Sequence, residues 1–146
     1  MIVSRTQSPR NVPLPANTTV YRAITKESWL VNNKTEVDAA AFYRRSEKWD
    51  PSGVTIGEIP YAHRVAEPPL TRDIFGIISI DVDCVRAVHV AEAPGIVLDV
   101  TLDRPPHGNI NTDLPFRDKD PRLAEKFASL LAECSEVHEV FDPPHN

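Results

Sequence analysis

Two positions in the chain combine a reactive residue type with an unusual setting. His107 stands in "RPPHGNINTDLPFRDKDP", a run of turn-formers over positions 104–121. Pro105 and Pro106 stiffen the approach, and Gly108 is free to adopt positive φ. That arrangement can present an imidazole, together with the backbone N–H groups of Gly108 and Asn109, to a ligand. Arg22 is the second position. In "TVYRAI", strand alternation puts it on the side of Val20 and Ile24, where a guanidinium is costly unless something anionic meets it. Two partners satisfy that demand: an internal carboxylate (Glu36, Asp81 or Asp99), or a bound phosphate gripped by the planar fork. The second alternative predicts that Arg22 and the His107 loop border one cavity, with His107 as proton donor or hydrogen-bond partner.

Other chemistries find less support. Asp81, Asp83 and Asp99 alternate on strand-like segments and supply oxygen ligands at best, a common pattern on solvated strand faces. His63, His89, His107 and His138 have no zinc-ligand spacing, and neither a phosphate-binding glycine loop nor a nucleophile elbow is present. No metal is expected.

The elements that must carry these residues are short. "TTVYRAI" reads as a first strand, with Thr25 capping a helical turn through Trp29 and Leu30. In residues 35–45, three alanines favour helix while Phe42 and Tyr43 favour strand, and both readings stay open. A turn at Asp50-Pro51-Ser52-Gly53 leads into a strand from Val54 to Ile56. "FGIISIDVDCV" and "IVLDVTL" alternate cleanly, predicting half-buried strands over Ile77–Val85 and Ile96–Leu102 that neighbour each other, antiparallel. Asp120 and Pro121 open a helix whose Leu123, Phe127, Leu130 and Leu131 form one apolar stripe. "EVHEVF" is expected at a sheet edge, since its outward residues are charged. Residues 103–119 are then a long connection, pinned to the domain by Ile110, Leu114 and Phe116.

The implied fold is α+β: a single domain over 18–146, with a mainly antiparallel sheet of five or six short strands, one firm C-terminal helix and long proline-rich loops. The first 17 residues form a mobile arm. The chain's 146 residues, 41% apolar and 25% charged, suit one such domain, and 14 prolines against 5 glycines make its connections stiff. A formal charge of −5 argues against nucleic acid or anionic lipid as a partner. The start lacks a secretory pattern and no segment is long enough to span a bilayer, so a cytoplasmic location is expected. Cys84 and Cys134, far apart in apolar stretches, read as buried free thiols.

From "VYRAI" through "RRSEKWDPSGVTI", the chain resembles the opening of RES-type domains, which have an ADP-ribosyltransferase-like fold and include toxins that degrade NAD. The likeness spans Val20 to Ile56. It implies an NAD-handling cleft in which Arg22 and Arg45 hold dinucleotide phosphates and Tyr43 or Tyr61 stacks on nicotinamide. Glu67 or Asp99 would then stabilise an oxocarbenium-like ribose. The glycine pair that precedes the family's second arginine is absent, and Pro68-Pro69 interrupts the helix that should carry Glu67. The wider pattern, "YRAI", "AAAFYRR", "SGVTI" and "PHGNI", is similar to that of small bacterial proteins of a cyanobacterial kind and implies no activity. Two functions follow. One is an enzyme with NAD as substrate, catalytic residues His107, Glu67 and Tyr61, and a nucleotide site of Arg22, Arg45, Tyr43, Gly108 and Asn109. The other is a non-catalytic binding or accessory module, regulatory or antitoxin-like, that meets a protein partner.

Overall fold

The strand that organises the protein is "IFGIISID", whose β-branched residues suit a pleated surface buried on both faces. In the computed structural model, which describes residues 10–42, 53–55, 73–103, 107–111 and 120–145, this segment is β6 (Ile74–Asp81), and Ile74, Ile77, Ile78 and Ile80 are fully enclosed. It lies between β2 (Thr19–Ile24) and β9 (Ser135–His145), antiparallel to both. The remaining strands of the sheet are β1 (Arg10–Pro13), β5 (Gly53–Thr55), β7 (Asp99–Asp103) and β8 (His107–Asn111). The order is β1-β7-β8-β5-β2-β6-β9, and a separate ribbon pairs β3 (Leu30–Val31) with β4 (Glu36–Val37). This is an α+β architecture with an antiparallel sheet, as the sequence implies.

Several expectations are corrected. The strand expected over Ile77–Val85 stops at Asp81, whose side chain caps α1 (Val82–Ala87) by accepting from the Asp83 N–H at 3.0 Å. Val82 and Val85 are buried one helical turn apart, a spacing that fits one helix face rather than strand alternation. β6 and β7 share a sheet but are not neighbours, since β8, β5 and β2 intervene. The stretch expected as a loop contains β8, paired with β7 on one side and β5 on the other. Part of the presumed arm is β1, an edge strand held by β7. Thr25 caps nothing: the 3-10 turn η1 (Glu27–Trp29) starts from Lys26 without a side-chain cap. The alanine run is a second 3-10 turn, η2 (Ala39–Phe42), opened by Asp38, whose carboxylate accepts from the Ala40 N–H at 3.2 Å.

Helix α2 (Pro121–Glu133) forms as its sequence predicts. Asp120 accepts from the Leu123 N–H at 3.2 Å, and Pro121 needs no hydrogen bond in the first turn. Its inward face is Ala124, Phe127, Ala128 and Leu131, while Leu123 and Leu130 pack partly exposed at the margin. Phe127, Ala128 and Leu131 close a core with Val20, Ile24, Ile78, Ile80, Val100 and Ile110, together with Trp29 and Phe42. Each fully buried large apolar side chain there stabilises the fold by about 1.5–3 kcal/mol. On the opposite sheet face Ile74, Ile77 and Phe141 form a smaller cluster.

The two cysteines are not free. Cys84, half-buried on α1, is disulfide-bonded to Cys134, which caps the C-terminus of α2. The apolar setting that reads as a place for buried thiols also brings the two Cα atoms to 5.5 Å, well within bridging distance. No helix among the described residues is long and apolar enough to cross a membrane.

Candidate functional site

Arg22 lies where alternation puts it, beside Ile78 on the face that meets α2 and the 3-10 turns. Its Nη1 donates to the Ala41 carbonyl at 2.6 Å. The guanidinium carbon lies 5.7 Å from the Trp29 ring centroid and 5.4 Å from that of Phe42. Flat, weakly hydrated guanidinium is well suited to aromatic faces. The three carboxylates that the sequence offers as its partners have other engagements. Glu36 accepts from Asn32, Asp81 caps α1, and Asp99 pairs with Arg86 at 2.6 Å.

His107, Gly108 and Asn109 belong to β8. As an inner strand, β8 directs its N–H and C=O groups into ladders with β7 and β5 rather than towards a ligand. His107 is in register with Thr55, Thr55 with Tyr21, and Tyr21 with Ser79. Arg22 is one residue further along β2, so the two positions occupy alternate pleats of the sheet. Tyr43, Arg45, Tyr61 and Glu67 lie outside the described residues.

A cavity lined by described residues lies elsewhere, between the β3–β4 ribbon and the junction of α2 with β9. Its volume is about 810 Å³, within the range of functional clefts. Four carboxylates line it: Glu36 and Asp38 from the ribbon side, and Glu133 and Glu136 from the junction. No lysine, arginine or histidine joins them among the described lining residues, and Val31, Val37, Ala132 and Val137 supply apolar surface between. In a chain of formal net charge −5, much of the acidic excess is therefore gathered at one cleft.

Local chemistry fixes both walls. Asn32, Asn33 and Lys34 take φ of 53°, 58° and 62°, a left-handed turn that two asparagines tolerate and a lysine does not favour. The Thr35 N–H closes this turn onto the Val31 carbonyl at 3.1 Å, and the Asn32 amide donates to Glu36. Asp38 is held by its N–H bond to the Trp29 carbonyl at 2.8 Å and by its capping role in η2. Across the cleft, Glu133 is the last residue of α2, and no basic residue occupies that last turn. A carboxylate there sits at the negative end of the helix dipole, at a cost of about 0.3–1 kcal/mol. That placement is the one sequence-level signal that could have pointed to the cleft. Among the described residues no cluster of His, Cys, Asp and Glu has the geometry of a metal site.

No family model, curated protein or solved structure matches the chain. The site must therefore be read from its own geometry.

Proposed function

We propose that the protein is a non-catalytic binding module that engages a protein partner, in preference to an NAD-processing enzyme. The observation that carries this reading is the position of Arg22. Its guanidinium lies between Trp29 and Phe42 with one nitrogen on the Ala41 carbonyl, so it serves to tie β2 to η1 and η2. A phosphate clamp needs that fork turned to an open cleft. The cleft between the β3–β4 ribbon and the α2–β9 junction is acidic and repels a dinucleotide's phosphates. The disulfide also favours an oxidising compartment over the reducing cytoplasm.

The test is an NAD-turnover assay on wild type and Arg22→Ala, run alongside thermal denaturation with NAD and ADP-ribose. The expected result is no release of nicotinamide, no ligand-dependent shift, and a less stable Arg22→Ala protein. Nicotinamide release by wild type that disappears in Arg22→Ala would restore the enzyme reading, with Arg22, Arg45 and Tyr43 at the nucleotide.

A further inference from the structure

We infer that the cleft between the β3–β4 ribbon and the α2–β9 junction takes an extended, basic and apolar segment of a partner protein. The inference rests on the binding-module reading and names the chemistry of the partner.

Charge decides the occupant. Glu36, Asp38, Glu133 and Glu136 line the same space, and no lysine, arginine or histidine is among its described lining residues. Like charges gathered around one concavity raise each other's energy, and an incoming cation relieves several at once. Nucleic acid and anionic lipid are repelled for the same reason. A second copy of this acidic chain would add to the imbalance.

Shape decides the conformation. One bounding element, β9, is the last strand of the seven-stranded sheet, and β4 is one edge of a two-stranded ribbon. Both edges carry backbone groups outside the ladders described above, which is how β-strand addition captures a peptide through its main chain. An extended peptide alternates its side chains with a period of two. The lining offers such a peptide both apolar side chains, Val31, Val37, Ala132 and Val137, and four carboxylates. Alternation of lysine or arginine with valine or isoleucine matches both demands.

The experiment is fluorescence anisotropy with labelled peptides. The probe is Lys-Val-Lys-Val-Lys-Val-Lys; the controls are Glu-Val-Glu-Val-Glu-Val-Glu and Lys-Ser-Lys-Ser-Lys-Ser-Lys. The basic, apolar peptide is expected to bind wild type, more weakly as salt rises, since exposed charges are screened over about 10 Å at 0.1 M. Both controls are expected to bind at least about tenfold more weakly, a factor that corresponds to 1.4 kcal/mol. Glu36→Gln with Glu136→Gln is expected to lower affinity by a similar factor. Glu27→Gln with Glu125→Gln, which removes the same charge outside the cleft lining, should leave it unchanged.

Equal losses in the two double variants would reduce the effect to net charge and overturn the assignment to the cleft. So would absence of binding to wild type, or equal binding of the anionic peptide. A peptide-displaceable dimer would give the cleft to a second copy and also overturn the proposal. None of these outcomes revives the enzyme reading, which stands or falls on NAD turnover.

Discussion

Replacing both cysteines (Cys84→Ala with Cys134→Ala) should cost about 4 kcal/mol of folding stability. The bridge closes a loop of sequence separation 50. Loop-closure entropy removed from the unfolded chain grows with the logarithm of that length, from about 3 kcal/mol at 15 residues to about 4.7 at 100. The folded side of the balance should change little, because other contacts hold the same two elements together. The Asp81 N–H donates to the Cys134 carbonyl at 3.1 Å, and Ile80 pairs with Ser135 in the β6–β9 ladder. Against a total of about 5–15 kcal/mol for a domain of this size, the loss is large but need not abolish folding. Urea titrations of wild type, wild type with a dithiol reductant, and the double variant provide the assay. The last two should share a lowered midpoint and a steeper slope, since an unbridged unfolded chain exposes more surface. A loss under about 1 kcal/mol would refute the entropic argument. Alkylation of two thiols in the native, unreduced protein would refute the bridge itself.

Four further outcomes check the packing and the charges. A Cβ on Gly76 would stand 2.6 Å from the Glu139 carbonyl oxygen, so Gly76→Ala must push β6 from β9 and should cost about 1–3 kcal/mol by urea denaturation; a neutral result would contradict the β6–β9 spacing. Leu131→Ala should cost about 2–5 kcal/mol, the partly exposed Leu130→Ala clearly less, and Glu133→Ala should be neutral or slightly stabilising, since it removes a carboxylate from the negative end of the helix dipole; equal losses would mean that α2 is rotated from its observed face. The Thr101 hydroxyl is buried with no hydrogen-bond partner among the described residues, so Thr101→Val should be neutral or stabilise by up to about 1 kcal/mol, whereas a clear loss would reveal a partner. The Lys126 ammonium beside Glu92 holds that carboxyl below its ordinary value of 4.5, so the pair's contribution is present above that pH and lost as pH falls through the lowered value; Lys126→Ala should return the Glu92 titration, followed by NMR, towards 4.5, and an unmoved titration would show that the ion pair does not form in solution.

What the sequence makes legible is set by the range of the forces involved. The strand β2, the Asp120-Pro121 start of α2 and the charged edge strand β9 are all written within a few residues and appear as read, whereas β6, read as half-buried, is enclosed on both faces. The end of β6 is misplaced because Val82 and Cys84 continue its alternation in sequence, while the Asp81 cap turns the chain into a helix that buries Val82 and Val85 on one face. β8 is missed because glycine and asparagine disfavour strands. Two flanking ladders, with β7 and β5, override that preference. The neighbours of β6 and β7 could not be read from proximity in sequence, since three strands separate them in the sheet.

The cleft was hidden for the same reason, and its composition is what connects the fold to a function. Glu36 and Asp38 lie about a hundred residues before Glu133 and Glu136 in the chain. Taken singly, each carboxylate reads as a solvated surface group. The β6–β9 ladder places the start of β9 at the sheet's edge, where α2 ends, and the two walls then meet across one cavity. Three local preferences are broken there together: Lys34 in a left-handed turn, an acidic residue at a helix C-terminus, and four like charges around one concavity. Two other described features follow such rules: Asp120 caps α2, and Arg86 is set against Asp99. Stability alone would disperse the charges and reverse the one at Glu133. Their concentration therefore points to a cationic partner as the compensating term.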